Sequence, residues 1–145
     1  MSSAPVLLDS DTLSDLSRGH PVVTARATEY LERHGRLTVS AVSIFERLRG
    51  YRAALRLGKP LHEHLRQFEL FAATCVVLPV EARVADEAAT IWAHLGRRGR
   101  RLVGDILIAA TASVQGIPLV TRNRRDFEPM TRVGGVKLGL VDWHR

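Results

Sequence analysis

Gly104-Asp105-Ile106-Leu107-Ile108-Ala109-Ala110-Thr111-Ala112-Ser113-Val114-Gln115-Gly116-Ile117-Pro118-Leu119-Val120-Thr121 is the stretch on which the fold turns. From Ile106 to Val114 it is apolar almost all round, the pattern of a central helix rather than a surface one. Ile117 to Thr121 follows as a short apolar run and reads as a buried strand. Asp105 stands at the head of the helix, so a carboxylate sits at the door of the core and needs a partner.

Outward from this pair the same alternation recurs. Toward the N-terminus lie a loop rich in glycine and arginine, Gly96 to Arg101, and an amphipathic helix from Glu81 to Leu95. Before them come a strand at Val76-Val77-Leu78-Pro79-Val80, a helix from Leu61 to Ala73 and a turn at Gly58-Lys59-Pro60. Ser40 opens a long helix through about Leu57 with Ala41, Ile44, Leu48 and Leu55 at helical spacing, and Leu37-Thr38-Val39 is a strand. Val22 to His34 reads as a helix stopped by Gly35. At the N-terminus Val6-Leu7-Leu8 is a strand running into a capped helix start, Asp9-Ser10-Asp11-Thr12. Toward the C-terminus Asp126 to Pro129 forms a short turn or helix, and Val136 to Val141 a fifth strand. Short apolar strands alternating with helices imply a three-layer α/β/α domain around a parallel sheet of four to five short strands. Without a repeat or linker, residues 1–145 are expected to form one domain.

Composition narrows the class. With 46% hydrophobic and 25% charged residues the chain has the balance of a globular protein. Cys75 is the single cysteine and lies in an apolar run, so it reads as a small buried hydrophobe in a reducing, cytoplasmic setting. Met1-Ser2-Ser3-Ala4-Pro5 lacks the basic start of a signal peptide, and no apolar run approaches the roughly 20 residues that span a bilayer. The net charge is +6, almost all of the positive charge being arginine, which favours a polyanionic partner. A genome that encodes arginine freely would give the same composition.

Ligand sites of parallel α/β sheets lie beyond the C-terminal ends of the strands. Asp9 stands there after the first strand, and Asp126 follows the fourth by a few residues. Asp105 opens the helix leading into the fourth strand, and Glu46 lies one to two turns into the helix after the second. Each has an ordinary structural alternative: Asp9 and Asp126 as caps, Asp105 as an N-cap or first-turn acid, Glu46 as a solvated helix residue. Gathered at one rim they would repel one another and raise their own pKa values. A divalent cation relieves this, and Mg²⁺ or Mn²⁺ is the hard ion that takes carboxylate oxygens. The chemistry implied is phosphodiester hydrolysis by a metal-activated water.

Four segments together resemble PIN-domain ribonucleases of the VapC type, the toxin half of bacterial VapBC toxin–antitoxin pairs. They are Leu7-Leu8-Asp9-Ser10-Asp11-Thr12-Leu13, the run from Val39 to Gly50 containing Glu46, Asp105-Ile106-Leu107-Ile108-Ala109-Ala110, and Thr121-Arg122-Asn123-Arg124-Arg125-Asp126-Phe127. The likeness extends from Val6 to about Gly139, and the third and fourth segments are the most specific. It implies a metal site of Asp9, Glu46, Asp105 and Asp126, with Thr121, Asn123 and Asp11 in support. It further implies an RNA substrate, a homodimer and a VapB-like antitoxin that blocks the site. Asp11 departs from the asparagine common at that place, and the basic flank Arg47-Leu48-Arg49 after Glu46 is unusual.

Arg97, Arg98, Arg100 and Arg101 precede Asp105, while Arg122, Arg124 and Arg125 precede Asp126, so both clusters are expected to grip an RNA backbone. The alternative for each is a solvated surface. His62 and His64 do not share a helix face and read as surface residues rather than zinc ligands. Trp92 and Trp143 read as packing or dimer contacts. Two other functions compete: a catalytically silent RNA- or antitoxin-binding module, and a haloacid-dehalogenase-type phosphatase opened by Asp9-Ser10-Asp11. Against the phosphatase stand Leu13 where Thr or Val is expected and the lack of any lysine between Leu61 and Arg125.

Overall fold

A computed structural model describes residues 4–145; residues 1–3, part of the N-terminus expected to carry no leader, lie outside the described residues. The elements run β1 (Leu7–Leu8), α1 (Ser10–Ser17), α2 (Pro21–His34), β2 (Thr38–Ser40), α3 (Ala41–Arg56), α4 (His62–Thr74) and β3 (Val76–Leu78). They continue with α5 (Ala82–Leu95), α6 (Val103–Gln115), β4 (Leu119–Val120), α7 (Arg124–Thr131) and β5 (Leu140–Val141). The five strands form one sheet in the order β3-β2-β1-β4-β5, and every neighbouring pair is parallel. The fold is therefore the expected three-layer α/β/α arrangement around a parallel sheet.

Alternation along β1 and β4 builds two cores. Leu7 and Leu119 point to one face, where α5, α6 and α7 supply Ile91, Ile106, Ile108, Ala109, Phe127 and Met130. Leu8 and Val120 point to the other, meeting Leu13, Val23, Tyr30, Val39, Phe68 and Trp143. Ile108, Ala109, Ala110 and Ala112 are all fully buried, which bears out α6 as the central helix. Each large apolar side chain buried this way contributes about 1.5–3 kcal/mol.

Several strands are shorter than their apolar runs. The third stops at Leu78 because Pro79 cannot donate to the ladder, and the fifth keeps only Leu140–Val141. The glycine–arginine segment is a 3₁₀ helix (Gly96–Arg101) rather than a loop. Gly96, at φ 61°, ends α5, and Gly99 is buried against Trp92, whose carbonyl oxygen would lie 3.1 Å from a β-carbon there. Between α3 and α4 the chain turns at residues 57–60, all exposed, with Gly58 at φ 80°. No described helix is long and apolar enough to cross a membrane.

The chain leaves β1 toward β2 on one side, and β4 pairs with β1 on the other. This reversal opens a crevice beyond the C-terminal ends of β1 and β4, the usual ligand position of such a sheet. Asp9 and Thr121 are the residues that follow those two ends.

A candidate acidic metal centre

Asp9 is the cap that the sequence offered and also stands at the crevice. It caps α1, its Oδ1 accepting the Thr12 N–H at 2.7 Å, and it projects into the crevice with only 2% exposure. Burial pushes its carboxyl above the ordinary value, against hydrogen bonds from Thr121 and Thr12 that favour the charged form. Thr12 also ties α1 to β4, its hydroxyl donating to the Val120 carbonyl at 3.3 Å.

Glu46 reaches the same crevice from the second turn of α3. The Ser10 hydroxyl donates to its Oε1 at 2.6 Å and lies 3.0 Å from the Ser43 hydroxyl. Its Oε2 lies over Gly104, 2.7 Å from where a β-carbon would stand, so a side chain there would displace this carboxylate oxygen. Among the described residues, Arg49 is the one cation within ion-pair distance of this carboxylate, at 3.9 Å.

Asp105 lies in the first turn of α6, two residues inside the helix rather than capping it. Its carboxyl is pushed up to about 7, first by burial and then by the charges of Glu46, Asp9, Asp11 and Asp126. Four acids from three segments, the start of α1, α3 and α7, thus act on a fifth. Asp126 enters from the first turn of α7, where its Oδ2 accepts the Asn123 side-chain N–H at 2.8 Å. Thr121 supports the same corner, its hydroxyl oxygen accepting the Asn123 backbone N–H at 2.9 Å. Asp11 is exposed at the rim.

The donor set is entirely hard oxygen, which suits Mg²⁺ or Mn²⁺ and not zinc. No three described His, Cys, Asp or Glu side chains converge tightly enough to enclose an ion as they stand. A wider ring matches an ion that keeps several of its own waters and takes only one or two carboxylates directly. The repulsion focused on Asp105 is what such a cation would relieve.

The arginines are distributed unequally. Arg98, Arg101 and Arg125 line a recess with Asn123 and Asp126, joined there by Arg132. Arg100 and Arg101 line a second recess containing Glu46 and Gly104. Arg122 is directed to Asp15 at 3.7 Å and Arg124 to Glu128 at 3.6 Å, while Arg97 is exposed and borders neither recess. Arg47 turns away from the acids, donating to Ser14, Ser17 and the Tyr51 hydroxyl.

Other residues fall as read. His62 and His64 are exposed, Trp143 packs on Tyr30, and Cys75 is buried with its thiol pushed up by burial. Trp92 is 44% exposed. Ser10, Ser43, Gly104 and Arg132 were not singled out by sequence reasoning. The signal for Gly104 was its place just before an acid at the mouth of an apolar helix, where a helix former would otherwise be favoured.

A PIN-domain family model matches residues 6–133. The chain is 35% identical over 111 residues to the tRNA(fMet)-specific endonuclease VapC of Shigella flexneri, covering 75% of this chain and 76% of that one. It is 35% identical over 122 residues to ribonuclease VapC10 of Mycobacterium tuberculosis, covering 81% and 82%. VapBC-1 from nontypeable Haemophilus influenzae shares the fold at a TM-score of 0.74 and 21% identity, covering 98% of this chain and 100% of that chain. DNA-bound VapBC from Salmonella typhimurium does so at 0.73 and 23%, covering 96% and 98%.

Proposed function

The chain belongs to the PIN-domain family, among the VapC ribonucleases, and from that premise we propose that it is a divalent-metal-dependent endoribonuclease acting as one domain. The observation that carries this reading is the placement of Asp105 within the fields of Glu46, Asp9, Asp11 and Asp126, at the reversal point of the sheet. Asp9, Glu46, Asp105 and Asp126 would hold Mg²⁺ or Mn²⁺, with Asp11 adding charge at the rim. When bound, the ion supplies charge neutralisation and Lewis acidity for hydrolysis of an RNA phosphodiester.

The protein's own groups do the positioning. Ser10 fixes one oxygen of Glu46, and Gly104 leaves space for the other. Hydrogen bonds from Thr121 and Thr12 orient Asp9 and partly offset the burial that raises its pKa. Asn123 orients Asp126 and is itself fixed by Thr121, so a displacement at the end of β4 reaches both acids.

The decisive experiment incubates the protein and its Asp9→Asn variant with cellular RNA, with Mg²⁺ or Mn²⁺ and with EDTA. Cleavage by the parent alone, abolished by EDTA, is expected. If neither protein cuts any RNA with either metal, the reading gives way to a silent binding module. The phosphatase alternative loses its basis with the family assignment, and Asp9 is buried as a helix cap rather than presented as a nucleophile.

The same reading gives the protein a toxin's role in the cytoplasm, held inactive by a VapB-like antitoxin, as the solved VapBC assemblies suggest by their fold. It also gives a homodimer. Phe45, Val80 and Val103 are exposed around the Glu46 recess, an apolar rim suited to a second copy. A monomer at all concentrations in light scattering would refute that part alone.

A further inference from the structure

We propose that Arg98, Arg101, Arg125 and Arg132 grip the sugar–phosphate backbone of a single-stranded RNA on the Asp126 side of the acidic centre. This rests on the nuclease reading and specifies how its substrate is held. The four side chains border one recess of about 1020 Å³ although they come from two distant segments, the 3₁₀ helix before α6 and α7 with its C-cap. All four are exposed, and none has a carboxylate within ion-pair distance among the described residues. Arg122 and Arg124, their sequence neighbours, are engaged by Asp15 and Glu128.

Unpaired guanidinium groups around one recess repel each other unless a polyanion lies between them, and their planar donor forks match phosphate oxygens. The acids in the recess do not satisfy them. Asp126 is held by Asn123, and Glu128 is paired with Arg124. Asp126 belongs both to this recess and to the group that raises Asp105, so the recess opens onto the acidic centre. Among the described residues, Leu102 and Pro129 are its only apolar lining residues, and no aromatic ring lines it to stack on a base. The grip therefore reads charge rather than sequence, and it offers little to the apolar anchors of an acidic protein segment.

The test is equilibrium binding of a fluorescent, short, mixed-sequence single-stranded RNA in EDTA across a salt series. Arg101→Gln, Arg98→Gln and Arg132→Gln are compared with the parent and with Arg66→Gln, a surface change on α4. Each recess variant is expected to weaken binding several-fold and to flatten the slope of log affinity against log salt by about 0.7, the value of one single-strand phosphate contact. Arg66→Gln is expected to match the parent. In cleavage with Mg²⁺ the recess variants should raise KM and leave kcat unchanged. Parental affinity and slope in all three recess variants, with cleavage intact in the parent, would overturn the grip and leave the nuclease standing. A parent that neither binds nor cuts RNA overturns both. Arginine dependence seen with a polyglutamate probe but not with RNA would overturn it in favour of an acidic protein segment.

Discussion

Glu46 and Gly104, 58 positions apart in the chain, are fitted to each other: the carboxylate oxygen Oε2 occupies a place 2.7 Å from a β-carbon that Gly104 does not have. Gly104 has no positive φ, so the requirement is for space and not for an unusual backbone. Replacement by alanine forces Glu46 or the head of α6 to move. A displacement of about 1 Å at a reacting centre costs on the order of 10²-fold in rate. Alanine also favours a helix over glycine by up to about 1 kcal/mol. Gly104→Ala is therefore expected to keep or raise Tm while losing about 10²-fold in RNA cleavage; parental activity would disprove the fit.

Ser10 should act on the same carboxylate through its 2.6 Å hydrogen bond. Ser10→Ala removes a bond worth about 1 kcal/mol and frees Glu46 to swing from its neighbours' repulsion. About tenfold lower kcat with KM unchanged is expected, corresponding to roughly 1.4 kcal/mol. Ser10→Thr, which keeps the hydroxyl, should restore most of it. Equal loss in both variants would assign Ser10 a packing role instead.

Asp105 is the acid most opposed by its surroundings, through burial and four like charges. Asp105→Asn removes the opposed charge without changing shape. At mildly alkaline pH, in EDTA, the variant should melt at a higher temperature than the parent. Mg²⁺ should raise the parent's Tm and leave the variant's nearly unchanged, and RNA cleavage should be lost. A variant less stable than the parent in EDTA would show that the repulsion is not what limits the metal-free protein.

Asp15 carries a pH dependence of the opposite sign. It is buried on α1 and accepts from Arg18 at 2.8 Å, with His144 at 2.7 Å and Arg122 at 3.7 Å. Arg18 first, then His144 and Arg122, hold its carboxyl below the ordinary value despite burial. Because the folded pKa lies below the unfolded one, the stabilisation is complete above the unfolded value of about 3.9 and is lost as pH falls through both. Urea midpoints of the parent and Asp15→Asn should differ most at neutral pH and converge in acid. A constant gap across pH would exclude an ionic origin.

The sequence carried the layer order and the acids because both depend on short-range pattern. An apolar helix such as 106–114 must be central, and residues after buried strands must fall at one edge of a parallel sheet. Glu46, Asp9 and Asp126 come within electrostatic reach of Asp105 on that ground. Partners chosen in three dimensions were not legible. Arg122 and Arg125 look alike in sequence, yet one meets a buried aspartate on α1 and the other borders the Asp126 recess. Arg132 joins that recess from beyond Pro129, outside both basic clusters. The 3₁₀ helix at residues 96–101 was likewise hidden, because it depends on Gly99 fitting beneath Trp92.

The exposed turn at residues 57–60 separates Asp9 and Glu46 from Asp105 and Asp126. β1 and β2 precede this turn, while β3, β4 and β5 follow it, and the two groups interleave in the sheet as β3-β2-β1-β4-β5. A gene divided at this turn would encode two halves, each with half of the acids, and only reassembly of the sheet would reunite them. Such halves, fused to two proteins of interest, would make RNA cleavage a logical AND gate on their encounter.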